Sequence, residues 1–205
     1  MTRWLWIWFI LILSIPVVPR GGLPGASSRS TRGVAPAVAT AAAESRWGGP
    51  LAEVIGGLDW VTGHQTSAAE LEGKVVLVEF WAFECVNCKR SQPAMHALVK
   101  RYRESDVRVV SIHTPELPRE RDPGNVTRAV TTAGIDYPVA LDPEGKAWTA
   151  FQNRYWPCLY VLDGAGRVRY KHIGELHEGS PGWNDLTRRI DLVRAASKPA
   201  PSRQG

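Results

Sequence analysis

From residue 74 onward the chain alternates between runs apolar on both sides and stretches that carry a single apolar stripe. "KVVLVEFWAF", from Lys74, is a continuous β-branched and aromatic run, the pattern of a strand inside a sheet. "KRSQPAMHALVKRYRES" follows, with Met95, Leu98, Val99 and Tyr102 spaced to share one helical face and Pro93 expected to kink the helix. "VRVVSIHT", from Val107, predicts a second strand. "DPGNVTRAVTTAGI" predicts a helix that Asp122 and Pro123 start and Gly134 ends. "YPVALD" is a short extended piece, and "GKAWTAFQNRY" a further helical stretch. "CLYVLDGAGRVRYKHIG" predicts two strands joined by a tight turn containing Asp-Gly. "GWNDLTRRIDLVRAA" closes the pattern as an amphipathic helix, and upstream "SAAELEG" predicts a short helix stopped by glycine. Alternating strands and helices followed by a hairpin and a helix specify an α/β domain, a mixed central sheet flanked by helices.

That domain occupies about 51–196 of 205 residues. Residues 1–19 are of another kind: Arg3, then an apolar run from Trp4 to Ile15 broken at Pro16. This is the pattern of a secretory signal or a short signal-anchor. The run is shorter than the roughly 20 residues of a spanning helix, and no clean cleavage site follows it. Residues 20–50 are rich in Gly, Ala, Ser, Pro and Arg, bury too little to offset ordering, and are expected to be a flexible tether. The last stretch, 197–205, is expected to be a disordered tail. The predicted location is therefore outside the cytoplasm, in the periplasm or cell envelope, with the N-terminal segment as a membrane anchor.

The formal net charge is +5, with five of the nineteen arginines in the tether and the tail and the rest spread along the chain. Charge spread in this way is not the clustered stripe of a nucleic-acid binder. Three cysteines change the picture more. A secreted disulfide framework normally carries an even number, whereas this chain has one close pair, Cys85 and Cys88, and one singleton, Cys158. A disulfide across two intervening residues constrains little of the unfolded chain, so stability is a weak reason for it. The pair sits where a strand passes into a helix, the setting of a thioredoxin-like redox motif. At the first turn of a helix a thiol meets unsatisfied N–H groups and the positive end of the dipole, which favours the thiolate. Cys85 has that position, with Cys88 one turn further and more buried. Lys89 favours a thiolate nearby and Glu84 disfavours it.

These residues resemble the thioredoxin-like thiol–disulfide oxidoreductases of bacterial envelopes, particularly the TlpA- and DipZ-like branch. The resemblance runs from about Leu58 to Gly174, through "VVLVEFWAF-CVNC", "SIHTPE", "YPVALD", "NRYWP" and "VLDGAGRVRYKHIGE". It implies that Cys85 attacks, that Cys88 resolves the mixed disulfide, and that Pro93 is the proline of the active-site helix. It also implies that Pro157 is a cis-proline facing the pair, so that backbone groups of Trp156 are free to pair with an incoming peptide. Glu79 stands where such proteins carry a buried acid beneath the pair; the alternative is a glutamate on an edge strand facing water. Members of the family reduce apocytochrome cysteines or other envelope clients. The implied partners are client proteins with cysteines or disulfides and a membrane electron donor or acceptor, with no bound cofactor and a monomeric chain.

The sequence departs from thioredoxin at Val86 and Asn87 between the cysteines and at Glu84, an aromatic position there. Cys158 follows Pro157 directly and is expected near the pair, as an inert buried thiol, an alternative disulfide partner or a third thiolate ligand. A metal-binding protein, holding copper or zinc through Cys85, Cys88, Cys158 and a histidine such as His113, is the competing reading. Structural zinc favours four ligands from two close pairs, and a second pair is missing. A c-type haem site requires His after Cys88, where Lys89 stands. A peroxidase of the peroxiredoxin kind would have Pro and Thr where Val78 and Ala82 stand. His113 follows a strand and is placed to line the site, while the other four histidines look like surface or turn residues. Of the nine tryptophans, Trp81 and Trp156 are expected to shape the site.

Overall fold

The computed structural model describes residues 48–61 and 65–197. The apolar N-terminal run, most of the tether and nearly all of the tail lie outside the described residues. The domain begins with α1 (Pro50–Val54), β1 (Asp59–Trp60) and α2 (Ala68–Leu71). It continues through β2 (Val75–Trp81), α3 (Val86–Tyr102), β3 (Val107–His113), α4 (Pro123–Thr132), β4 (Val139–Leu141) and α5 (Lys146–Ala150). It ends with β5 (Cys158–Leu162), β6 (Val168–Ile173) and α6 (Pro181–Ser197). Of these, α1 and β1 carry too few residues for a periodic signal, and the sequence pattern did not reveal them.

The strands form one sheet in the order β1-β4-β3-β2-β5-β6. β2 runs parallel to β3 and antiparallel to β5, so the sheet is mixed. Every residue of β2 is buried, Glu79 included, as a strand covered on both faces requires. Side chains alternate between the two faces, and two separate cores result. Val75, Leu77 and Trp81 of β2 pack with Met95 and Leu98 of α3, Val126 and Val130 of α4, and Leu186 and Ile190 of α6. Val76, Val78 and Phe80 pack on the other side with Leu51 of α1, Leu71 of α2 and Phe151 beside α5.

Local chemistry sets the element ends. Ser67 accepts the Glu70 N–H while Glu70 reaches back to the Ser67 N–H, a reciprocal cap for α2. Asp122 Oδ1 caps α4 at Asn125 N, 2.9 Å, with Pro123 following it. Helix α3 is continuous through Pro93. Asp163 shapes the β5–β6 turn: Oδ1 accepts the N–H groups of Ala165 and Arg167, and Oδ2 takes the Arg169 guanidinium at 2.6 Å. Gly166, at φ 79°, lies against the Gly48 carbonyl where any side chain would collide. Gly48 N also donates to Ala165 O, so the chain has already joined the domain at Gly48, just ahead of α1.

Candidate active site

Because β2 and β3 are parallel, their carboxyl ends lie side by side, with Trp81 opposite His113. Open α/β sheets present their ligand sites at that edge. β2 leads there through Ala82, Phe83 and Glu84 to Cys85, which is the N-cap of α3. Cys85 and Cys88 are joined in a disulfide, with their Cα atoms 5.2 Å apart. The Cys88 N–H donates to Cys85 Sγ at 3.2 Å. This bond puts the sulfur on the unsatisfied donors at the start of a 17-residue helix, where negative charge is favoured. Cys85 is 8% exposed and Cys88 1%, so Cys85 is the one an incoming sulfur can reach. Glu84 is held away from isolation by two cations: Arg119 at 2.7 Å and Lys89 at 3.5 Å.

Glu79 is buried in β2, an interior strand, and not on an edge facing water. It shares the face of Leu77 and Trp81, the one whose core includes Cys85 and Cys88. Ser111 Oγ donates to Glu79 Oε2 at 2.8 Å. Burial pushes the Glu79 carboxyl up to about 7, and the Ser111 hydrogen bond offsets only part of that. A carboxyl with this value takes up or gives back a proton near neutral pH. Nearby, burial and then the Glu79 charge hold the Tyr137 hydroxyl well above its ordinary range, and Gln92 Nε2 donates to it at 2.7 Å.

The Trp156–Pro157 bond is cis. β5 starts at Cys158 opposite Phe80, and this antiparallel register brings Trp156 and Pro157 alongside the end of β2. Trp156 Nε1 donates to Thr114 O at 3.0 Å, and its ring lies 4.2 Å from that of Trp148. Trp81 is buried at the end of β2 with its ring edge-on to His113. A cavity of about 580 Å³ adjoins the pair, lined by Trp81, Phe83, Lys89, Pro93, His96 and Arg128 among others.

Cys158 corrects an expectation. Adjacency to Pro157 in sequence suggested proximity to the pair, but the strand's alternation turns the side chain to the opposite face. It is fully buried in the other core, with Phe80, Phe151 and Tyr160. Its Sγ donates to His172 O at 3.2 Å, and burial pushes the thiol up from its ordinary value. A third thiolate for the pair is therefore not assembled, and neither is the copper or zinc set that needed it. Among the described residues no three His, Cys, Asp or Glu side chains are grouped to hold a metal ion.

Two histidines also differ from their surface or turn assignment. His96 lies on α3 and bonds Ala133 O at 3.1 Å, and His172 is a β6 residue. His113 is the last residue of β3 and is buried, and burial holds its imidazole down to about 4. Glu120 was missed altogether. It is 1% exposed in the charged segment "TPELPRER", where no apolar periodicity marks a buried position. The available signal was a proline at Pro118 with a glutamate two residues on, the pattern of a helical first turn that folds its acid back onto its own N–H groups.

Residues 57–171 match the AhpC/TSA family. The chain belongs to that family. It is 45% identical over 105 residues to protein DipZ of Mycobacterium tuberculosis, which covers 51% of this chain and 15% of DipZ. It is 28% identical over 149 residues to the thiol-disulfide oxidoreductase YkuV of Bacillus subtilis, covering 73% of this chain and 97% of YkuV. Among solved structures, a thiol-disulfide isomerase from Corynebacterium glutamicum superposes with a TM-score of 0.59 at 24% identity. That match covers 67% of this chain and 91% of the isomerase, and it speaks for the fold alone. The fold is thioredoxin-like, and the sequence sides with the TlpA/DipZ-like branch of thiol–disulfide oxidoreductases. The chain spans about 15% of the length of DipZ.

Proposed function

We propose that this protein is an extracytoplasmic thiol–disulfide oxidoreductase that reduces client proteins through Cys85 and Cys88. The observation that carries the reading is the Cys85–Cys88 disulfide at the N-terminus of α3, on the same sheet face as the buried Glu79. In the reduced protein the Cys85 thiolate attacks one sulfur of a client disulfide. A Cys85–client bond forms and the client's other sulfur leaves as a thiolate, which takes a proton from solvent. Cys88 passes its proton to the Glu79 carboxylate and attacks Cys85 Sγ. The Cys85–client bond breaks, the second client sulfur leaves as a thiolate that takes a proton from solvent, and Glu79 returns its proton to solvent. The client has gained two electrons and two protons, and the protein is left with its own disulfide. A membrane partner of the same dithiol chemistry restores the reduced pair. Backbone groups of Trp156, beside Pro157, serve an extended client segment by strand-like pairing. No bound cofactor enters these steps.

Export rests on the apolar run after Arg3 and on a paired thiol that suits an oxidising compartment. No helix among the described residues is long and apolar enough to cross a membrane; in this reading the anchor is the apolar run from Trp4 to Ile15, which lies outside them. The reducing direction is supported by the buried Glu120 carboxylate beside the segment that delivers Cys85, which opposes thiolate formation and so makes the reduced pair a stronger electron donor. The Glu84 charge is offset by Arg119 and Lys89.

The test is differential alkylation read by mass spectrometry, on the protein equilibrated in graded redox buffers. A reversible Cys85–Cys88 couple with a midpoint near −270 mV, roughly the thioredoxin value, is expected. A midpoint near −120 mV, roughly that of DsbA, would make it an oxidant instead. Cys85→Ser should abolish exchange with a protein disulfide while leaving the fold intact, and retained turnover refutes the mechanism.

A further inference from the structure

The segment that delivers Cys85 is fastened from outside its own strand. The Phe83 N–H donates to His113 Nε2 at 3.2 Å, and the Glu84 N–H donates to Glu120 Oε1 at 2.7 Å. The Cys85 N–H turns back to Ala82 O at 3.3 Å. The three amides from Phe83 to Cys85 therefore all have partners, and two of those partners are buried side chains 30 and 36 residues away in sequence. Glu120 is itself fixed: its second oxygen accepts the N–H groups of Glu116 at 2.7 Å and Leu117 at 2.6 Å. The His113 ring cannot swing away, since it stacks on Phe83 at 5.6 Å and meets Trp81 edge-on at 5.1 Å.

We propose that Glu120 and His113 are positioning residues for exchange at Cys85: they hold the two amides before it, and Glu120 keeps a fixed negative charge beside that segment. The proposal rests on the redox function above. It follows from what the contacts do. An acceptor at His113 Nε2 requires a neutral imidazole with its proton on Nδ1, and burial supplies that state at neutral pH. Misplacing a reacting atom by about 1 Å lowers rates on the order of 100-fold, so the segment ahead of a nucleophile is a sensitive place to anchor. A carboxylate beside the segment opposes the thiolate that the helix terminus favours. Glu84, Arg119 and Lys89 also carry charge beside Cys85, but they pair with one another. The main opposed influences are therefore the helix terminus and Glu120, and Glu120 is the one a substitution can change.

Three variants test this, read by amide hydrogen exchange of the oxidised protein and by pH titration of the Cys85 thiol in the reduced protein. Glu120→Gln has one acceptor oxygen, which two donors at Glu116 and Leu117 claim, so its NH2 faces the Glu84 N–H. Exchange at Glu84 should quicken by about tenfold or more, as for one lost hydrogen bond to a charged acceptor, and the Cys85 titration should move to lower pH. Glu120→Asp keeps the charge on a shorter stem: Glu84 loses protection while the titration stays near its original pH. His113→Leu should expose the Phe83 amide in the same way and slow attack on glutathione disulfide. Unchanged Glu84 and Phe83 amides, or a titration that does not distinguish Gln from Asp, overturns the proposal, even if thermal stability falls. Both readings are made on the protein itself and need no client. A wild-type protein that reduces no protein disulfide would sink the proposed function and leave these readings to judge the anchor.

Discussion

Replacing Glu79 by glutamine gives the sharpest test of the buried acid. The carboxyl has its ordinary value, 4.5, in the unfolded chain and about 7 in the folded protein, with burial as the main cause. Between those values the folded protein holds a proton that the unfolded chain has released, so stability falls as pH rises. Each pH unit is about 1.4 kcal/mol, and the interval gives a loss of about 3 kcal/mol, complete above pH 7 and absent below pH 4.5. Glutamine does not titrate and keeps an acceptor for Ser111. The variant should therefore gain on the wild type by about 3 kcal/mol between pH 4.5 and pH 8, whatever its offset at the acid end. His113 makes the comparison necessary. Its imidazole lies at about 4, below the ordinary 6.5, because burial disfavours the cation. In that window the unfolded chain holds the extra proton and stability rises with pH, by a similar amount. The two slopes oppose each other from pH 4.5 to pH 6.5, so the wild-type curve alone hides both. Urea unfolding of the oxidised protein and the variant, at half-unit steps from pH 4.5 to pH 8, reads the difference directly. A difference that stays flat with pH means that Glu79 titrates as an ordinary carboxylate. The proton relay assigned to it then fails with it.

Cys158→Ala should leave the midpoint of the Cys85–Cys88 couple unchanged, because the side chain lies in the other core. It should cost about 1–2 kcal/mol in urea unfolding, the order of a small buried truncation; a shifted midpoint would put the third thiol back in the site. Asp122→Ala removes the α4 cap at Asn125 and should lower stability by about 1 kcal/mol. Exchange rates should be unaffected, and a slowed rate would mean that α4 shapes the site through its start.

What the sequence determined by itself were the features set by local periodicity and local chemistry. The run at 75–81, apolar except for Glu79, had the pattern of a strand inside a sheet, the one-sided stripe after it that of a helix, and Cys85 at their junction the place of a helix N-terminus. Several blocks in the right order were enough to point to the thioredoxin-like arrangement, and the family match over residues 57–171 agrees with it. Pairing across distance was not legible. Cys158 looked like a neighbour of the redox pair because Pro157 precedes it, and only the register with Phe80 turned it to the far core. Glu79 had two readings until the strand order made β2 interior, and burial without a compensating charge then raised its carboxyl. Glu120 carried no apolar signal, since a buried carboxylate is tolerated when backbone N–H groups saturate it, and those donors come together only when two loops meet. Hydrophobic pattern is a property of neighbours in sequence, so it specifies elements and faces. Hydrogen bonds to a remote backbone, and the proton affinities that follow from burial, exist only once the sheet has closed.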